Sequence, residues 1–350
     1  MTANRRNNAS QGGFTLTEIL VVIVILGLLA GLTTTVVVSA RHSVRASVVS
    51  TMEAQLSIAL DEYKNRYGEY PPDFSDAEAV TRHLQKRWPR YQVTYAEFIE
   101  DINLGCRLSS GGYERNPGNL PSSERASDLV GIHVWNVTEY LSSVIFWLGG
   151  LPNENGVPSG FYASPKYPLG IVRNGNSVTY IPRPDRAKRE KPLYLFDKKD
   201  IGAFGFVNEG GVQVFSRRDD TTLGSGNSTE YIPAYCQGDY PIVYFCPSPD
   251  ATYSTKQFYC NISDQVSCAV PYAKDVAFDK NGNVTYAEWF EAGRFQLIHP
   301  GVDGLFGSDN ASPRWLQPQE GAKPDSVTIA DDDNITNFLT RGTLQSEYKE

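Results

Sequence analysis

The pattern of hydrophobic and polar residues separates one uninterrupted apolar stretch near the start of the chain from a longer mixed remainder. Residues 19–40 contain no charged side chain and are rich in valine, isoleucine and leucine. At about 1.5 Å per helical residue, this stretch is roughly 33 Å long and matches the ~30 Å hydrocarbon layer of a membrane. The pattern therefore predicts a transmembrane helix over residues 14–40.

The residues that follow have the pattern of an amphipathic helix. Apolar side chains recur every three or four positions, which is the repeat of one helix face. These side chains are Val44, Val48, Met52, Leu56, Leu60, Tyr63 and Tyr67. Charged residues that lie off this face are Arg45, Glu53, Asp61 and Lys64. Gly68 and the pair Pro71–Pro72 end the pattern. We expect residues 41–70 to continue the first helix as far as about residue 67 and to pack this face under a globular head.

The remaining residues, 71–350, predict a head of the α+β class. Residues 77–86 and 126–148 have helical periodicity, whereas residues 104–123 are rich in Gly, Ser and Pro and predict a loop. Four runs have the composition of strands: residues 192–196, 211–215, 240–245 and 295–299. We therefore expect a long N-terminal helix, first transmembrane and then amphipathic, packed on a head with an antiparallel β-sheet and long loops.

Composition limits the classes of partner. The chain has 350 residues, 21 % charged and 12 % aromatic, which is typical of an ordered globular protein. Its formal charge of −8 repels nucleic acid unless basic residues are segregated, and no such patch follows Arg45. We expect no nucleic-acid partner.

One acid, Glu18, lies at the start of the apolar stretch. A carboxylate there costs a few kcal/mol and normally marks function. A cleaved secretory signal has an apolar region of only about 7–15 residues, so it fits less well, and a plain single-span anchor is a further alternative. Arg5 and Arg6 precede the stretch, which favours a cytoplasmic N-terminus and places everything after residue 40 outside the cytoplasm.

The sequence around Glu18, Gly-Phe-Thr-Leu-Thr-Glu-Ile-Leu-Val-Val-Ile over residues 13–23, resembles the prepilin cleavage and methylation motif. Type IV pilins and the pseudopilins of type II secretion share this motif. The resemblance implies that residues 1–13 are a leader, removed by a prepilin peptidase between Gly13 and Phe14. Phe14 then becomes the N-methylated first residue. Thr17 departs from the more usual aliphatic residue before the glutamate.

Glu18 gains a physical role once the leader is removed. Each subunit then carries a free amine at Phe14 and a carboxylate one helical turn later. An unpaired charge is costly among lipids or packed helices, so the amine of a neighbouring Phe14 is the natural partner of Glu18. Such pairing would set the axial register of a filament; the alternative is that Glu18 only reaches the headgroups.

The C-terminal region, residues 301–338, resembles the end of a major pseudopilin. Its two motifs are Gly-Val-Asp-Gly-Leu-Phe-Gly at 301–307 and Asp-Asp-Asp-Asn-Ile-Thr-Asn-Phe at 331–338. In that family such motifs form a calcium-binding loop, and carboxylate oxygens suit Ca²⁺. By this match the candidate ligands are Asp303, Asp331, Asp333 and Asn337. The stretch between the motifs is longer here, Asn-Phe replaces the usual Trp-Asp, and a solvated acidic loop is the alternative.

Five cysteines contain no C-x-x-C pair, which argues against a zinc ribbon or a thioredoxin-like site. Cys236 with Cys246, and Cys260 with Cys268, bracket short loops in a region expected outside the cytoplasm. One or two disulfides are therefore plausible there. Other pairings, a leftover Cys106 and buried thiols remain open.

Catalytic patterns are missing from the sequence. It has four histidines in no metalloprotease spacing, no G-x-S-x-G, no P-loop and no dinucleotide fingerprint. We expect no enzymatic activity but a structural subunit of a type II secretion or type IV pilus-like filament, which polymerises through its N-terminal helix and supports protein export. The middle of the head is longer than in ordinary pseudopilins. The alternative is a minor pilin or tip adhesin with a ligand-binding head.

The expected partners follow from that role. They are other pilin or pseudopilin subunits, the prepilin peptidase, the membrane and the inner-membrane assembly machinery with its separate cytoplasmic ATPase. The expected location is the inner membrane, crossed once with the head outside the cytoplasm, and then the filament.

Overall fold

The computed structural model describes most of the chain. The described residues are 15–109, 140–153, 155–174, 177–181, 187–209, 212–218, 232–237, 240–253, 259–260, 267–280, 284–307, 314–315, 331–339 and 343–344. Contacts divide the chain into two compact units, Met1–Arg45 and Ala46–Glu350.

Helix α1 spans Leu16–Tyr67, and its first part belongs to the unit Met1–Arg45. The apolar side chains of this part are widely exposed, from 50 % at Ile19 to 84 % at Leu16. The described part of the chain contains no helix with both the length and the apolar character needed to cross a membrane.

The C-terminal end of α1 is where the sequence predicts it. Gly68 adopts a left-handed φ of +85°, and its N–H donates to the carbonyl of Lys64 at 2.7 Å. Glycine reaches this conformation without the steric penalty that a Cβ imposes, and the bond satisfies a carbonyl at the helix end. The expected end near Tyr67 is therefore confirmed.

In the unit Ala46–Glu350, one face of α1 lies in the core. Its buried residues are Val49, Met52, Glu53, Leu56, Ala59, Leu60 and Tyr63. The predicted apolar face was wrong in its first turns, because Val48 is 42 % exposed whereas Val49 is 1 % exposed. An α-helix has 3.6 residues per turn, so residues three or four positions apart share a face. The face of Met52 and Leu56 therefore includes Val49.

The described part of this unit contains three further α-helices. They are α2 (Ala77–Arg87), α3 (Tyr95–Ser109) and α4 (Tyr140–Val144), and a π-helix, Ile145–Gly149, follows α4 directly. The helix expected at 77–86 is confirmed. The loop expected at 104–123 is wrong as far as Ser109, because Phe98, Ile102 and Cys106 bury one face of α3. Residues 110–123 lie outside the described residues, as do 126–139 of the other predicted helix.

Within the described residues, fourteen short strands form five groups. The strands are β1 (Ile171–Asn174), β2 (Ser177–Tyr180), β3 (Ile201–Glu209), β4 (Val212–Arg218), β5 (Ile232–Gln237), β6 (Tyr240–Pro241), β7 (Val243–Phe245), β8 (Tyr259–Cys260), β9 (Cys268–Ala269), β10 (Tyr272–Phe278), β11 (Val284–Trp289), β12 (Gln296–His299), β13 (Arg314–Trp315) and β14 (Ile335–Thr336). The sheet orders are β4-β3-β5-β6, β14-β12-β7 and β11-β10-β13, with hairpins β1-β2 and β8-β9. Pairing is antiparallel except between β10 and β13. The α+β class with antiparallel sheets is confirmed.

Three of the four predicted strands are present, as β4, as β6 with β7, and as β12. The strand expected at 192–196 is wrong. There the N–H groups of Leu193 and Tyr194 both donate to the carbonyl of Leu148, so the segment is held to the π-helix without a ladder partner.

Trp147, on the π-helix, occupies the centre of the larger hydrophobic cluster. Its ring contacts Tyr63, Phe74 and Trp88 at centroid distances of 5.7–6.5 Å. Its Nε1 donates to the carbonyl of Pro72 at 2.9 Å, which satisfies the indole N–H. A second cluster joins β5, β7, β9, β10 and β12. The unit therefore has two apolar clusters, and strands β5, β7 and β12 contribute side chains to both.

Candidate functional site

Gly13 and Phe14, the predicted processing residues, lie outside the described residues. Glu18 lies in the first turn of α1. Its Oε2 accepts hydrogen bonds from both the N–H and the hydroxyl of Thr15, each at 2.8 Å. The Glu18 N–H donates to Thr15 Oγ1 at 3.3 Å. This reciprocal arrangement is a capping box.

The same geometry starts α3, where Thr94 and Glu97 make the corresponding three bonds at 2.8, 2.8 and 3.3 Å. Glu18 therefore caps a helix in the isolated chain, a role that our reading of the sequence missed. The signal was present as Thr-x-x-Glu before an apolar run. Both bonds from Thr15 go to Oε2, so the other carboxylate oxygen, Oε1, makes no bond to the described residues.

This first turn lies within a segment that matches a family model. Residues 8–34 match the prokaryotic N-terminal methylation motif. The matched residues contain Gly13, Phe14 and Glu18, so the predicted prepilin-type motif is confirmed. The match supports a type IV pilin-like protein and leaves the rest of the chain unassigned. No curated protein and no solved structure matches the chain.

In the acidic C-terminal region, Asp331 and Asn337 are bonded to the sheets, whereas Asp303 and Asp333 lie together at a turn. Asp331 is completely buried, accepts a bond from the Tyr272 hydroxyl at 2.6 Å and pairs with Arg314 at 3.0 Å. Asn337 accepts from the Leu297 N–H at 2.8 Å. These bonds fix residues 331–339 to the sheets, so Asp331 and Asn337 are not placed as the predicted ligands. Within the described residues, no three acidic, cysteine or histidine side chains form a metal-binding group.

Asp303 and Asp333 are brought together at the turn after β12. The Asp333 carboxylate accepts bonds from the N–H groups of Val302 and Asp303, and its Oδ1 is buried without a hydrogen-bond partner. Gly301 permits this approach, since a Cβ there would lie 2.3 Å from the Asp333 carbonyl oxygen. Burial, together with the charge of Asp333, raises the pKa of Asp303 to about 6.

These two carboxylates fit a cation better than the set of four predicted ligands does. A calcium ion takes 6–8 oxygen ligands, so Asp303 and Asp333 would need backbone carbonyls and water beside them. The partnerless oxygen of Asp333 and the mutual repulsion of the two acids are what a bound cation would relieve. Calcium binding therefore stays a proposal, now centred on two residues.

We expect calcium to raise the melting temperature of the full-length protein at pH 7, and Asp303→Asn to abolish that increase. Without calcium, Asp303→Asn should itself raise the melting temperature at pH 7. The folded-state pKa of about 6 lies above the ordinary value of 3.8 for an aspartate, so ionisation of Asp303 destabilises the fold as pH rises from about 4 to 6. At pH 4 the calcium-free proteins should melt alike.

Differential scanning calorimetry at both pH values measures these changes. Glu288→Gln, which changes an exposed acid that pairs with Lys274 at 3.6 Å, is the matched control and should keep the calcium response. The same calcium-induced increase in wild type and in Asp303→Asn, or none in wild type, would contradict the proposal.

The cysteines follow only part of the prediction. Cys236 and Cys246 are thiols, so the bridge predicted between them is wrong. Cys236 packs in the second cluster, whereas Cys246 packs against the larger cluster around Trp147, so the two side chains lie in different cores. Cys268 is disulfide-bonded, and Cys260 lies directly opposite it in the β8–β9 register, as the second predicted pairing requires.

Glu53 lies on the buried face of α1, and its predicted place on the polar side of the helix is wrong. It is 1 % exposed, and neither carboxylate oxygen has a hydrogen-bond partner. Burial raises its pKa well above the ordinary value. Its spacing of four residues from Val49 and three from Leu56 was the available signal, since it places Glu53 on the buried face.

Proposed function

We propose that the chain is a structural subunit of a type II secretion or type IV pilus-like filament and polymerises through its N-terminal helix to support protein export. The match of residues 8–34 to the N-terminal methylation motif carries this proposal. Prepilin peptidase, other pilin or pseudopilin subunits and the inner-membrane assembly machinery are the corresponding partners.

The exposed apolar side chains of α1 support this role. Residues 19–29 include ten large apolar side chains that are each 50–64 % exposed, and burial of apolar area contributes about 25 cal/mol per Å². Lipid covers such a surface in a membrane-anchored precursor, and neighbouring helices cover it in a filament. We accordingly propose a single-pass inner-membrane location for the subunit before assembly.

The cysteine chemistry supports placing the head outside the cytoplasm. Disulfides persist in oxidising compartments and are rare where glutathione keeps thiols reduced. The disulfide at Cys268 is therefore consistent with export of residues 71–350. It also agrees with the basic residues Arg5 and Arg6 ahead of the apolar stretch.

The geometry at Glu18 suggests how processing and assembly are compatible. Thr15 occupies Oε2 of Glu18, so Oε1 can accept a bond from the methylated Phe14 amine of a neighbour while the helix cap stays formed. Pairing the two charges removes the cost of leaving either one unpaired among apolar helices. The cap also holds the carboxylate in one orientation for this contact.

Within this role, the choice between a secretion pseudopilin and a pilus subunit rests on the C-terminal resemblance, which favours the pseudopilins. A minor or tip subunit with a ligand-binding head is the other candidate, and the cleft described in the next subsection favours it. Counting copies per filament separates the two, because a main subunit is present in many copies and a tip subunit in one or a few.

We expect Glu18→Ala to be processed normally but incorporated into sheared filaments at least tenfold less than wild type. The methylated amine would then lack its partner, whereas the cleavage point is unchanged. Cells with the cognate peptidase and assembly system express each variant. Mass spectrometry of the mature N-terminus measures processing, and quantitative blotting of the sheared fraction measures incorporation.

Glu62→Ala, an exposed acid of the same helix, is the matched control and should assemble like wild type. Equal incorporation of Glu18→Ala and Glu62→Ala would remove the pairing role. A wild-type N-terminus at Met1 would overturn the filament proposal itself.

A further inference from the structure

A cleft of about 460 Å³ lies in the unit Ala46–Glu350, between the start of α2 and the loop that follows β7. Tyr70, Pro72, Pro247 and Pro249 provide apolar wall surface. The volume is within the range of small-molecule and cofactor sites, about 300–1,000 Å³. The N-terminal motif and the acidic turn at Asp303 contribute no residue to it.

Strained backbone borders this cleft. Among the described residues, positive φ occurs at three non-glycine positions: Phe74 at 66°, Ala251 at 65° and Glu291 at 49°. Phe74 stands between the cleft residues Asp73 and Ser75. Such residues cost of order 1–3 kcal/mol each and cluster at ligand sites.

The other two strained residues adjoin the opposite side. The Ala251 N–H donates to the carbonyl of the cleft residue Ser248 at 2.9 Å. Glu291 lies two residues before the cleft residue Gly293, and a Cβ on that glycine would approach the Ala251 Cβ to 3.6 Å. The cleft is therefore framed by backbone that the surrounding structure holds in uncommon conformations.

The carboxylates of the cleft are already bonded within the protein. Asp73 accepts from the Ser75 N–H at 3.0 Å and from the Cys246 N–H at 2.9 Å. Asp76 caps α2 by accepting from the Glu78 N–H at 2.8 Å. These acids shape the walls, and their bonds within the fold compete with any ligand.

Glu69 is bonded in the same way at the back of the cleft. It accepts from His83 Nδ1 at 2.8 Å and from Lys86 at 2.5 Å. His83 Nε2 accepts from the Tyr63 hydroxyl at 2.6 Å, and burial lowers the pKa of His83. Neutral His83 therefore adds no charge to the cleft near pH 7.

Two cations of the cleft remain available. Lys64 Nζ lies 4.3 Å from the centroid of the Tyr70 ring, and neither Lys64 nor Arg82 makes an ion pair with the described residues. Cations that form no salt bridge with the described residues, beside carboxylates that are already hydrogen-bonded, favour an acceptor of single negative charge. A dianion would be repelled by Glu69, Asp73 and Asp76.

We propose that this cleft binds a peptide segment of a partner protein through one carboxylate side chain, held by Lys64 and Arg82. Charge-assisted hydrogen bonds to the carboxylate supply the polar recognition. Tyr70 and the prolines pack against the peptide. The proposal concerns the head alone and is independent of filament assembly.

Saturation-transfer NMR and competition titration on the full-length protein in detergent test this proposal. The probes are acetyl-Gly-Glu-Gly-amide, acetyl-Gly-Gln-Gly-amide and inorganic phosphate. We expect the glutamate peptide to bind at least tenfold more tightly than the glutamine peptide. The double variant Lys64→Ala/Arg82→Ala should lose that difference, and phosphate should not displace the glutamate peptide.

Lys166→Ala is the matched control, because Lys166 also lies over a tyrosine ring, at 5.2 Å from the Tyr167 centroid, but outside the cleft. It should bind like wild type, and Arg82→Lys should retain part of the binding. Unchanged melting temperatures show that the variants are folded. Equal binding of the two peptides, binding unaffected by the double variant, displacement by phosphate, or no binding at all would each overturn the proposal.

Discussion

Arg314→Ala is expected to lower the free energy of unfolding by about 3–5 kcal/mol, the typical cost of removing one partner of a buried ion pair. Arg314 and Asp331 are both fully buried and lie 3.0 Å apart. Arg314 also donates to the carbonyls of Cys268 and Phe306 at 2.8 and 2.7 Å. Its removal would leave a buried carboxylate and two carbonyls without this donor.

Urea unfolding followed by tryptophan fluorescence measures the loss. Arg294→Ala is the matched control: Arg294 pairs with Asp61 at 2.8 Å but is 37 % exposed, so its loss should cost at most about 1 kcal/mol. The double variant Arg314→Ala/Asp331→Ala should lose less than the sum of the single variants. Similar losses for Arg314→Ala and Arg294→Ala would contradict this account.

Glu53→Met is expected to raise the free energy of unfolding on the order of 2–4 kcal/mol at pH 8 and to change it little at pH 4. Glu53 is buried without a hydrogen-bond partner, and burial raises its pKa well above the ordinary value. Below about pH 4 the acid is protonated in both states. At higher pH unfolding releases its proton, so wild-type stability falls up to the raised pKa.

Between the ordinary pKa of a glutamate and the raised pKa of Glu53, the folding equilibrium constant of the wild type falls by up to about tenfold per pH unit. Urea unfolding at pH 4, 6 and 8 measures it, and in Glu53→Met this contribution should disappear. Glu62→Met, an exposed acid on the same helix, is the control and should keep the wild-type dependence. Parallel pH profiles for wild type and Glu53→Met would show that Glu53 does not titrate as described.

The sequence predicted those helix positions that depend on residues close together in the chain. Gly68 ends α1 because glycine takes a left-handed φ there, and the helical periodicity of residues 77–86 predicted α2. The strand at 192–196 failed because an extended apolar segment becomes a strand only when another strand pairs with it. Here the available acceptor was the carbonyl of Leu148.

The polar residues of the core depend on contacts distant in sequence. The resemblance to the major pseudopilins makes Asp331 a candidate calcium ligand, yet in the structure it pairs with Arg314 of β13. The cleft likewise combines Lys64, Arg82 and Pro247 from three separate segments of the chain, so no sequence motif predicts it. The N-terminal motif could be recognised from the sequence because all its residues are adjacent in the chain.

The three thiols impose an order on maturation. Cys106 and Cys236 are buried, and burial raises the pKa of Cys106, which keeps its reactive thiolate scarce in the folded protein. An unfolded chain newly delivered to an oxidising compartment lacks this protection. Correct maturation therefore requires the core to bury these sulfurs faster than oxidants react with them. Oxidation is then confined to Cys268 and its partner.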